Sequence, residues 1–161
     1  MPSNIKLKDF LKQAIIAFYN NDKELIQNID GLERTCVFKI ATYLDNIIRV
    51  DAEFNHLHLD CEYNKSNTGP KMLGNQKVQP DLIIHQRNLN NPITNPYNTL
   101  VVEFKGWWND NIDDIEKLKK FTSSEFEYEY QLGIFVKLGR TAEETIFQYF
   151  KNGQEVLEND F

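Results

Sequence analysis

Cysteine is scarce in this 161-residue chain, with 2 residues, Cys36 and Cys61. Both fall inside apolar patterns without metal-type spacing, so a disulfide scaffold is excluded and reduced core thiols are expected. Histidine is nearly as rare, at 3, too few for a histidine-rich metal cluster. Glycine (7) and proline (5) are thin; there is no glycine-rich phosphate loop and no Gly-x-Ser-x-Gly elbow. Nucleotide hydrolysis of the P-loop kind and serine esterase chemistry therefore have no support. No apolar run approaches the ~20 residues of a membrane span, and the opening MPSNIKLKDF has no apolar stretch of the signal-peptide kind. A cytoplasmic protein with no membrane partner is expected.

Positive charge is also short. Eighteen Lys and Arg face 24 Asp and Glu, a net charge of −6, so bulk charge does not hold this chain to a polyanion. The deficit is uneven: residues 1–108 carry 12 basic and 12 acidic side chains, while 109–161 carry 6 and 12. Any polyanion site is expected in the first two thirds. What is present is the composition of a folded domain, 41% hydrophobic and 26% charged, at a length that buries one core.

Without repeat or linker, residues 1–161 read as a single domain. Ser3 caps a first helix in which Leu7, Phe10, Leu11, Ala14, Ile15 and Phe18 recur at helical spacing. A short amphipathic piece, Lys23–Ile29, ends at Asp30-Gly31, and a second helix runs from about Leu32 to Arg49. The period then drops to two: Leu57, Leu59, Cys61 and Tyr63 alternate with His56, His58, Asp60 and Glu62 in a half-buried strand. Residues 64–79 read as a loop with Lys65, Lys71 and Lys77 and no acid. Two apolar strands follow, Asp81–His85 and Leu100–Lys105, joined by the Asn- and Pro-rich stretch 88–99. A helix from Ile112 to about Thr122 and a buried strand Leu132–Val136 come next; Ala142–Phe150 reads equally as helix or strand. The order is α-α-β-β-β-α-β with a small tail, an α/β class with a mixed sheet flanked by helices.

Polar residues at the ends of strands that want burial are the candidate chemistry. Alternation puts Glu103 and Lys105 on one face of their strand and Phe104 on the other. Pro80, without an N–H, belongs at a strand's first residue or edge, which leaves Asp81 near the sheet's rim. If the two strands pair, Asp81 and Glu103 converge. Two such carboxylates repel unless a divalent cation lies between them, and hard oxygen donors favour Mg²⁺ or Mn²⁺.

Pro80-Asp81 followed by Glu103-Phe104-Lys105 resembles the motif of the PD-(D/E)xK, or restriction-endonuclease-like, nuclease superfamily. The α-β-β-β-α-β order resembles its core. The wider context, over roughly residues 30–140, is similar to small stand-alone bacterial and prophage proteins of that superfamily. It is carried by Glu62-Tyr-Asn-Lys65, Val78–Arg87, Leu100–Lys105, Asp114–Thr122 and Tyr130–Val136. On this reading 1–30 is a helical extension, 31–140 the nuclease-like core and 141–161 a tail. The resemblance implies a metal-dependent deoxyribonuclease. Asp81, Glu103 and the backbone carbonyl of Phe104 would hold Mg²⁺, with Mn²⁺ as substitute, and Lys105 would orient the attacking water. It also implies DNA as partner and a homodimer as one way of cutting both strands. A catalytically inactive fold of the same kind, binding protein or nucleic acid, is the alternative, and the acidic balance favours it.

Each residue also has a plainer reading. Glu33 is a further metal-ligand candidate on the inward face of its helix, yet Asp30-Gly-Leu-Glu33 has capping-box spacing. Glu62 is either a site acid or a solvent-facing carboxylate. Glu103 and Lys105 suit an ordinary salt bridge, and Asp81 a turn acceptor. His56-Leu-His58-Leu-Asp60 reads as the wet face of a strand rather than a zinc site, and His85 as a satisfied strand-end histidine. Lys65, Lys71, Lys77 and Arg87 are the nearby cations for nucleic acid, giving weak, salt-sensitive contacts. Trp107 and Trp108 depart from the superfamily's usual small polar or basic residues after the lysine; packing is preferred for them over base stacking.

Overall fold

The computed structural model describes residues 3–66, 69–87 and 98–160. Among them, helices α1 (Asn4–Asp22), α2 (Glu24–Gln27) and α3 (Glu33–Val50) precede strand β1 (His58–Cys61). Two small hairpins follow, β2 (Lys65–Ser66) with β3 (Gly69–Pro70), and β4 (Met72–Leu73) with β5 (Gln76–Lys77). Then come β6 (Leu82–His85), β7 (Asn98–Gly106), α4 (Asp113–Thr122), β8 (Leu132–Leu138), β9 (Ile146–Lys151) and β10 (Gln154–Val156). The stretch 88–99, read as a connection, lies largely outside the described residues.

The central sheet has six strands in the order β1-β6-β7-β8-β9-β10. Every pairing is antiparallel except β7 with β8. A parallel pair needs a crossover, and α4 supplies it. The register sets Leu82 opposite Val102 and Ile84 opposite Leu100.

Both faces of the sheet are covered, which explains why its middle strands are near-continuously apolar. Leu82, Ile84, Leu100, Val102, Phe104, Leu132, Ile134 and Val136 pack against the inner stripes of α1 and α3. Ile83, Val101 and Phe135 face the other way, onto Leu118 and Phe121 of α4, Leu73 and Val78 of the second hairpin, and Tyr128 and Tyr130. Glu103 and Lys105 share the face of Val101 and so lie under α4.

Three expectations change. Residues 64–79 are not an open loop but the two hairpins, and Leu73 and Val78 bury themselves. The segment 141–161 is not a loose tail: β9 and β10 extend the sheet. Cys61 is exposed and only Cys36 is a core thiol, because Cys61 is the last residue of β1, an edge strand of the sheet. No described helix is long and apolar enough to cross a membrane.

Candidate active site

The register of β6 against β7 runs one position further than the ladder, to Asp81 opposite Glu103. Asp81, at the mouth of β6, accepts from the Phe104 backbone N–H with Oδ2 at 2.7 Å, so it caps a donor of β7 that β6 is too short to pair. Its second link is a hydrogen bond with Glu103. Glu103 is 2% exposed, and burial together with the neighbouring charges of Asp81 and Asp114 raises its pKa well above the ordinary carboxylate range. Burial likewise raises Asp81, against the Phe104 N–H and the Glu103 bond that lower it. Of the two, Glu103 is the one raised well above its ordinary value. Its other oxygen, Oε1, is buried without a hydrogen-bond partner among the described residues.

Lys105 does not pair with Glu103. Its Nζ lies 2.5 Å from Asp114 Oδ2, on α4, and Lys117, one turn on, holds Asp114 Oδ1. Burial works against the charge of both lysines, but Asp114 outweighs it and their pKa values rise. Asp114 in turn is held below its ordinary value despite burial. Asp114 and Lys117 carry no spacing signal relative to Glu103; only the return of α4 over the sheet brings them in.

Glu33 is no cap. The helix begins at Glu33 itself with Leu32 in the N-cap position and no side-chain cap bond. Its Oε2 instead accepts from the Gly106 N–H at 2.9 Å, tying α3 to the chain just past Lys105. Glu62 stands nearby, paired with Arg34 Nε at 2.9 Å. Glu33, Arg34, Val37, Phe38, Cys61, Glu62 and Asp81 line one open cleft of about 130 Å³. Glu33, Glu62 and Asp81 therefore share its wall, and Asp81 links it to Glu103. Trp107 and Trp108 pack: the Trp107 indole N–H donates to the Ile26 carbonyl at 2.8 Å, and both rings lie against the core.

The cations expected to meet nucleic acid are placed unequally. Lys65 and Lys77 are exposed. Arg87 is bound to Asp60, which also holds His85 Nε2 at 2.8 Å. Lys71 is 3% exposed, its ammonium donating to the Tyr130 hydroxyl at 3.1 Å and lying 4.1 Å from the centre of the Tyr128 ring. It is turned into the protein, not towards a ligand.

The donor set fits a hard divalent cation. Asp81 and Glu103 offer carboxylate oxygens, and the unpartnered Glu103 Oε1 leaves a buried acceptor open. Mg²⁺ is commonly held by only one or two carboxylates with waters completing its shell. Among the described residues, no group of three or more His, Cys, Asp or Glu is placed to hold a metal ion. The structure ties the Phe104 N–H, rather than its carbonyl, to the acids. Compared with known proteins, the chain matches no family model, no curated protein and no solved structure.

Proposed function

We propose that the chain is a metal-dependent phosphodiesterase of the restriction-endonuclease-like kind, acting on DNA. The observation that carries this reading is the pair Asp81 and Glu103: two carboxyls in contact at opposed strand ends, one with an unpartnered buried oxygen, beside an open cleft. The succession α3-β1-β6-β7-α4-β8 supports it, since the resemblance implies that order. Asp81, Glu103 and the Phe104 carbonyl would hold Mg²⁺ or Mn²⁺. Such an ion supplies an acidified water and neutralises charge on the phosphate. Lys105, kept charged by Asp114, supplies a fixed cation on the same face as Glu103, where developing negative charge is stabilised without reorganisation. Glu33 fixes the backbone after Lys105, and Glu62 with Arg34 forms the far wall of the cleft.

The second reading, an inactive fold of this kind serving as a protein- or nucleic-acid-binding module, is favoured by the Lys105–Asp114 pair, which turns the ammonium away from the two acids. Cleavage of supercoiled plasmid and of labelled single-stranded DNA, with Mg²⁺, Mn²⁺ or chelator, separates the two. The nuclease reading expects metal-dependent cutting that Asp81→Ala and Lys105→Ala both abolish. No cutting of either substrate together with no Mn²⁺ binding would favour the module, whereas Mn²⁺ binding without cutting would point to a missing substrate or partner.

A further inference from the structure

The first turn of α4 carries Asp113, Asp114 and Glu116, and of these only Asp114 is buried, at 4% exposure. One carboxylate there holds two ammonium groups, Lys105 from β7 and Lys117 from its own helix. The arrangement is uneven. Glu33, Asp81, Glu103 and Asp114 gather here with Lys105 and Lys117, and Lys117 is close enough to Glu103 for its charge to act on it. Lys105 projects from the same face of β7, two positions on. In a low-dielectric site either lysine would be drawn to the Asp81–Glu103 pair. Both are on Asp114 instead, and Glu103 Oε1 is left without a partner among the described residues.

We propose that Asp114 is a positioning residue that keeps Lys105 and Lys117 off Asp81 and Glu103, so that the pair stays open to a divalent cation. The proposal rests on reading that pair as a cation site. With Asp114 present, both lysines are engaged by one carboxylate, and neither neutralises Asp81 or Glu103. With its charge removed, the lysine stems are long enough to turn, and the ammonium groups become internal counterions that a metal must displace.

Mn²⁺ titration followed by electron paramagnetic resonance reads this without any activity. Asp114→Asn is expected to weaken Mn²⁺ binding at least about tenfold, in the range of residues that orient metal ligands from behind. Adding Lys117→Met is expected to recover most of that loss, whereas Lys117→Met alone changes affinity less than about threefold, so the two substitutions couple. If Lys117→Met raises affinity by one factor in both backgrounds, Asp114 acts only through its own charge and the proposal is overturned. Unchanged binding in Asp114→Asn overturns it as well. Should Asp114→Asn not fold, Asp114→Glu, which keeps both lysines engaged, is expected to bind within about threefold of the parent, and a tenfold loss would count against the idea. Mn²⁺ binding lost in Asp81→Asn but unmoved in Asp114→Asn sinks the positioning role alone. No binding in the parent chain sinks the cation site and the positioning role together.

Discussion

Lys71 is the residue whose surroundings are least like its type. Its ammonium is enclosed by Tyr63, Tyr128 and Tyr130 with no carboxylate in contact among the described residues, and desolvation pushes its pKa down to about 8. In the unfolded chain it returns to about 10.5, so between pH 8 and 10.5 the unfolded state binds the extra proton and stability rises with pH. The rise, read as the difference between the parent and Lys71→Met in urea unfolding, is expected to reach at most about 3 kcal/mol. The ring contacts offset part of the desolvation while the amine is charged. At neutral pH, Lys71→Met is expected to be neutral or stabilising, since an apolar side chain of similar length removes an unpaired buried charge. A clear loss of stability would mean that the tyrosine rings outweigh desolvation. Nothing in the local sequence marks this lysine: residues 64–79 read as solvated, and two of the three tyrosines that close over it, Tyr128 and Tyr130, come from nearly sixty positions away.

At the scale of elements, the start of α3 is decided by a contact across the fold rather than by its own sequence. Asp30 and Glu33 have the spacing of a capping box, but Glu33 spends its carboxylate on the Gly106 N–H. Glu33→Ala is therefore expected to destabilise by about 1–2 kcal/mol, while Asp30→Ala stays within about 0.5 kcal/mol of the parent; a reciprocal cap would make the two losses alike. Gly106 is fixed by a second neighbour. A Cβ there would stand 2.4 Å from the Trp108 ring, so Gly106→Ala is expected to displace the indole and lose about 1–3 kcal/mol by overpacking, visible as a change in tryptophan fluorescence. The middle strands and the long helices were legible because their apolar residues follow one period and face one core. The hairpins of 65–77 and the strands β9 and β10 were not, because their side chains are mixed and most of these strands are only two or three residues long, too short to show a period. Asp81, Glu103 and Lys105 could be named from their place at strand ends. Asp114 could not, since helix spacing alone does not say what the helix will cover.

For the molecule as a whole, charge is the governing quantity. The acidic surplus of 109–161 is partly turned inward at Asp114, and the exposed cations of the hairpins reduce to Lys65 and Lys77. DNA association is therefore expected to be weak at physiological salt, with a log–log salt slope of about −2, from two phosphate contacts; a slope steeper than about −5 would require a basic surface elsewhere. A divalent cation at the Asp81–Glu103 pair binds the folded state only, so at 100 times its Kd it is expected to add about 2.7 kcal/mol to stability. Thermal melts with and without Mn²⁺ should show the gain, and Asp81→Ala should remove it.

Strand β7 lies in the interior of the sheet, between β6 and β8, buried from Asn98 to Phe104, and it carries Glu103 near its end. Amides so placed exchange with solvent only through the largest openings of a protein. The residue at the heart of the candidate site is thus carried by the segment of chain expected to be among the last to let deuterium in. Fraying of exposed loops leaves it in place, so metal binding and global folding should be lost in a single transition.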